Sequence, residues 1–100
     1  MKPVYYRFPI LIIRNEVYSR YKDILDQDIP KEEYSDGWVD IDINSIVYIY
    51  PQTSGFEEDD DVFDVTIIGL AGGTSYEVQL VHQQVRKILD YTIIDVKKLL

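Results

Sequence analysis

The sequence predicts an α+β domain of about five mostly antiparallel strands forming a sheet packed by two helices. Three observations carry that expectation. Short runs rich in β-branched and aromatic residues recur along the chain, and turn-forming residues separate them. Two other segments repeat apolar residues at i, i+4, i+7 and i+8, the period of one helix face. One hundred residues fit a single domain spanning 1–100, with enough chain for one ordinary core.

Taken in order, residues 4–13 (V-Y-Y-R-F-P-I-L-I-I) read as strand. Pro9 has no N–H to give a ladder, so it requires an edge or a bulge. Asn15 is placed to cap a helix over roughly 15–26, whose apolar face is Val17, Tyr21, Ile24 and Leu25. Glu16 and Arg20 add an i,i+4 pair in the favourable order. Residues 26–37 are polar, contain Pro30 and read as loop. Residues 38–43 alternate, with Val39, Ile41 and Ile43 on one side and Trp38, Asp40 and Asp42 on the other. Asn44-Ser45 allows a turn, and residues 46–50 form a strand that Pro51 ends. Residues 52–61 read as a loop with an acidic tip. Residues 62–68 and 74–80 flank G-L-A-G-G as a hairpin. Val81, Val85, Ile88 and Leu89 mark a second helix over roughly 81–90, and the chain beyond reads equally as more helix or a short extra strand.

Charge is distributed unevenly. Residues 1–22 carry five basic residues and one acidic (+4), residues 23–64 carry fourteen acids and one lysine (−13), and residues 65–100 carry four basic residues and three acids (+1). The net charge is −8. Nucleic-acid affinity comes from clustered Lys and Arg, so direct DNA or RNA binding is not expected. Cysteine is absent, which removes disulfides, thiolate nucleophiles and thiolate metal sites and suits a cytoplasmic protein. No secretory signal is read at the start. The longest unbroken apolar run, residues 9–13, falls far short of the ~20 residues of a membrane helix, so no membrane association is expected.

The most conspicuous run is Glu57, Glu58, Asp59, Asp60 and Asp61, with Asp64 just beyond. Its charges crowd inside one ~8 Å screening length, so it stays solvated, and a basic partner protein would be its natural counterpart. Calcium is tested by D-I-D-I-N-S at residues 40–45. Ser45 stands where a turn glycine is needed and Pro51 where a bidentate glutamate is needed, so no calcium loop is expected. His82, the only histidine, has no nucleophile at a supporting spacing, and no G-x-S-x-G elbow is present. The three glycines of 69–73 match no phosphate loop. No catalytic residue, metal or cofactor is therefore assigned. The nine tyrosines fit sheet packing or an interface.

Residues 38–89 carry W-V-D-I-D-I-N-S-I-V-Y-I-Y-P, a polar gap, D-V-T-I-I-G-L-A-G-G-T-S-Y-E-V and then V-x-x-x-V-x-x-I-L. This order resembles the FlbD-like small sheet proteins and half of a LytTR domain, in which a strand and turn precede a hairpin and a closing helix. The resemblance covers about half the chain and rests on hydrophobic pattern with Gly73, Tyr76 and Val78. It implies a small regulator of bacterial or phage type. DNA binding by LytTR domains does not carry over against the acidic middle, and no site residue is transferred.

Residues 10–13 and 46–50 are apolar on both faces, whereas two helices cover one face of a sheet. A second subunit is expected to close the other face, making a homo-oligomer, with loops and the chain end as the alternative. The leading functional expectation is a non-enzymatic protein-interaction module that self-associates through a sheet face and presents an acidic surface. Its candidate contacts are Glu57, Glu58, Asp59, Asp60, Asp61, Asp40, Asp42, Trp38, Tyr48 and Tyr50. One alternative is sequestration of a nucleotide signal between subunits, with tyrosines stacking on a base and Arg7, Arg14 and Arg20 holding phosphate. Another is nucleic-acid mimicry by the acids.

Overall fold

The computed structural model describes residues 3–56 and 61–99. Its elements are β1 (Tyr5–Ile12), α1 (Asn15–Tyr18), β2 (Ser35–Asp42), β3 (Ile46–Phe56), β4 (Asp61–Leu70), β5 (Ser75–Val78) and α2 (His82–Leu99), with short 3₁₀ turns at Lys31–Glu33 and Ile43–Ser45. The class is α+β, as the periodicities predict. The strands divide into two antiparallel sheets, β1-β2 and β3-β4-β5. Among the described residues one backbone bond runs between them, Gln79 N–H donating to Pro9 O at 2.8 Å. Ala71 N–H to Ser45 O at 2.8 Å extends the β3-β4 ladder, and Ile43 N–H to Val4 O at 2.9 Å extends the β1-β2 ladder.

Strand alternation decides which residues meet. In the first sheet Phe8 stands opposite Val39 and Tyr6 opposite Ile41, so these four share a face. In the second, Ile49, Ile68 and Tyr76 lie in one row and Thr66 opposes Val78. Phe8, Ile41, Ile68, Val78 and Val85 form the buried cluster, with Val39, Ile46, Ile49, Ile88 and Leu89 packed against it. The core therefore lies between the inner faces of the two sheets and the first turns of α2. Thr66 is the one buried polar side chain among the described residues, and its hydroxyl donates to Leu80 O at 2.9 Å. A buried hydroxyl with a partner avoids the desolvation cost of an orphan.

Several expectations are corrected. β3 does not end at Pro51 but runs through it, with Pro51 opposite Thr66, so part of the expected 52–61 loop is strand. The physical reason is its position. β3 pairs only with β4, and an edge strand can spare an N–H toward solvent. A bulge between Ile46 and Tyr48 leaves Val47 outside the ladder register and exposed. In β1 the edge alternative for Pro9 is met, since β1 pairs only with β2 and Pro9 stands opposite Trp38 in regular register. The turn after β4 follows the glycine signal, since Gly72 and Gly73 both adopt φ of +95°, a region that favours glycine.

The first helix keeps its position but not its expected form. A single α-turn, Asn15–Tyr18, passes into a wider π-helical stretch, Ser19–Ile24, with Leu25 N–H donating to Arg20 O at 3.0 Å. Widening the turn shifts later residues off the expected apolar face. Val17 is buried, whereas Ile24 is 75% exposed. Asn15 is the first helical residue rather than the cap; Arg14 holds the cap position without a side-chain bond. Glu16 is drawn to Arg14 at 3.7 Å instead of to Arg20. The second helix extends well past residue 90, to Leu99.

Residues 65–69 of the central strand β4 are buried on both faces. Ile68 and Thr66 point inward; Val65 and Ile67 point the other way and are also buried, within one chain. In β3, part of the 46–50 segment expected to be apolar on both faces, Val47, Tyr48 and Tyr50 remain exposed.

Candidate functional site

Three surfaces hold the chemistry-bearing residues. The first is the outward face of the β1-β2 sheet. The register places Tyr5 opposite Asp42, Arg7 opposite Asp40, Pro9 opposite Trp38 and Leu11 opposite Asp36 on that face. Trp38 is 63% exposed and Tyr5 64%. Between them Arg7 Nε donates to Asp40 Oδ1 at 3.0 Å and Nη2 to Oδ2 at 3.4 Å, a two-point contact. Of the expected site residues, Trp38, Asp40 and Asp42 come together here. Tyr5 and Asp36 were not among them, and Arg7 was expected only as a phosphate contact: the register alone sets Tyr5 and Arg7 across from Asp42 and Asp40, and Asp36 lies in a segment the sequence reads as loop.

Two of these acids are committed within the fold. The hydrogen bond and charge of Arg7 hold the Asp40 carboxyl below its ordinary value and raise the Arg7 guanidinium above its own. Asp42 accepts from Asn44 N–H at 3.0 Å, Ser45 Oγ at 3.3 Å and Val4 N–H at 3.3 Å, so it caps the turn into β3. This carboxylate serves the D-I-D-I-N-S segment as a structural acceptor.

The Arg7–Asp40 pair implies a pH dependence. Because the folded Asp40 value lies below the unfolded one, its contribution is fully present above the unfolded value. It is lost as pH falls through the lowered folded value. Both groups are solvated, so the contribution is small. In Arg7→Gln the Asp40 carboxyl midpoint, followed by NMR titration, is expected to move upward toward its ordinary range. An unchanged midpoint would show that the pair does not form in solution.

The second surface is the outer side of β3. Tyr48 and Tyr50 stack with ring centroids 5.8 Å apart and planes 17° from parallel. Tyr48 lies across from Gly69, and a Cβ at Gly69 would collide with the Tyr48 ring. The missing side chain thus makes the seat for the ring, an aromatic residue covering a strand glycine. Both rings remain about half exposed. No residue of β3 is charged (I-V-Y-I-Y-P-Q-T-S-G-F).

The third is a cleft of about 500 Å³ between β1, the 22–34 segment and β5, bordered by Ile10, Ile29, Tyr34, Ser75 and Glu77. Lys22 Nζ pairs with Asp28 Oδ1 at 3.1 Å on its wall, which raises the Lys22 ammonium. Burial raises the Tyr34 hydroxyl, with the charges of Lys22, Glu77 and Asp28 acting on it as well. None of Arg7, Arg14 and Arg20 lines this cleft, and the first two pair with Asp40 and Glu16.

Of the acidic run, residues 57–60 and the Asp61 side chain lie outside the described residues. His82 opens α2 and is partly buried. Among the described residues no three His, Cys, Asp or Glu side chains are gathered so as to hold a metal ion, and no helix is long and apolar enough to cross a membrane. No protein-family model, curated protein or solved structure matches the chain.

Proposed function

We propose that the chain is a non-enzymatic protein-interaction module of bacterial or phage type. It joins a second copy of itself through the outer side of β3 and offers acidic surface to a basic partner. The observation that carries this reading is the stacked, half-exposed Tyr48–Tyr50 pair on a strand without a single charge.

The physical argument turns on repulsion. Each copy carries −8, so most approaches between copies bring like charges together. The uncharged β3 side avoids that cost and supplies tyrosines, which suit interfaces because an apolar ring carries a hydroxyl that can stay paired. Pro51 denies a ladder N–H in mid-strand and the bulge at Val47 twists the edge, so edge-to-edge sheet extension is disfavoured. Contact through the rings is left, and a two-fold arrangement closes after two copies. The hydrophobic layout of residues 38–89, similar to FlbD-like small proteins, supports a regulatory role.

Sedimentation velocity across a wide concentration range tests this. The unmodified chain is expected to show a reversible dimer. Tyr50→Lys, with an unchanged circular dichroism spectrum, should weaken it by about 2 kcal/mol or more, the loss typical of a central aromatic contact. A chain that stays monomeric throughout, or a Tyr50→Lys dimer of unchanged strength, would refute the reading.

A further inference from the structure

The β1-β2 face obeys the opposite logic from the β3 side, and we infer that it is a docking surface for an arginine- or lysine-bearing segment of a different protein. Trp38 is its centre. Asp36 and Asp40 stand two residues to either side on the same strand and therefore on the same face, each about 6.6 Å along the strand. An exposed indole flanked by two carboxylates matches a side-chain cation. The ring face attracts the cation through its quadrupole, and a carboxylate accepts its N–H groups. Tyr5, the second exposed ring, lies on the same face four strand residues from Pro9, about 13 Å away.

Charge complementarity selects the occupant. Asp36, Asp40 and Asp42 against Arg7 leave this face at −2, so a second copy presenting the same face would be repelled, and so would a nucleic acid. A basic segment would be attracted, and the acidic middle of the chain would steer it in. Arg7 defines how the site works. It occupies Asp40 in the free protein, so Asp36, for which the described residues show no ion pair, meets the incoming cation first. Asp40 can then exchange Arg7 for the ligand. Exposed aromatic and arginine side chains on one face have the composition of an interaction hot spot. This inference rests on the reading of the protein as an interaction module but uses a surface separate from the one proposed for self-association.

Trp38 is the only tryptophan, so its fluorescence reports on the site directly. The probe is an extended peptide alternating arginine and threonine, with a glutamine–threonine peptide of equal length as control. The arginine peptide is expected to change Trp38 emission saturably, more tightly at low salt than at high salt, while the control does nothing. Asp36→Lys, an exposed change that leaves the core intact, should weaken binding by about tenfold or more, because a carboxylate contact is lost and a like charge takes its place. Amide chemical shifts should move along β1 and β2. Three outcomes would overturn the inference: no saturable response, a response unchanged in Asp36→Lys, or shifts confined to residues 57–64. Since dimerisation is read separately by sedimentation with Tyr50→Lys, failure of this site and failure of the self-association reading are distinguishable.

Discussion

Phe8→Ala is expected to destabilise the fold by about 3–5 kcal/mol, the range for deleting a buried aromatic ring. Phe8 is fully buried and belongs to the cluster that joins the two sheets to α2. Its ring also contacts Tyr6, centroids 4.8 Å apart and tilted by 55°, a geometry worth a little beyond area alone. Among the described residues only the Gln79–Pro9 backbone bond otherwise runs between the two sheets, so little else can take up the loss. For a domain of this size each kcal/mol lowers Tm by roughly 4–8 °C. Thermal unfolding should therefore show a drop of tens of degrees or no folded state at 25 °C. A drop of only a few degrees would mean that the sheets are held together by something other than this core.

Ile68→Ala carries the second largest effect, about 2–5 kcal/mol. Ile68 lies on the middle strand of three, paired with Ile49 on one side and Tyr76 on the other, and is fully buried. Denaturant titration of Ile68→Ala beside Ile67→Ala separates the two faces. Ile67 points to the outer side yet is nearly as buried within one chain. It too should cost at least 2 kcal/mol in a monomeric sample. If Ile67→Ala were neutral in the monomer and harmful only at dimer-forming concentration, the outer face of β4 would be an interface and not part of the chain's own core.

How much of this was legible differs from element to element. The alternation of Val39 and Ile41 against Trp38 and Asp40 was readable because a strand's period is two and one face must be buried. The hairpin at Gly72 and Gly73 was readable because the backbone there needs positive φ. Pro51 misled, because a proline signals the end of a strand only when its N–H position faces another strand, and edge position is not written locally. The first helix misled for a related reason. Val17, Tyr21, Ile24 and Leu25 fit an α period, but so short a segment has little helical stability of its own. Its final geometry follows from the single residue, Val17, that the fold buries.

By itself the sequence determined the class, the acidic middle between near-neutral ends, and the shared face of Trp38, Asp40 and Asp42. These are local or additive properties, set by residue type and by a two-residue or 3.6-residue period. Only the tertiary structure decided that Arg7 partners Asp40 across thirty-three residues, that Tyr48 sits on Gly69, and that residues 65–69 of β4 are covered on both faces while β3 is not. Each depends on which strand lies beside which and in what register. Those choices are made by the packing energy of the whole core, which no single segment contains.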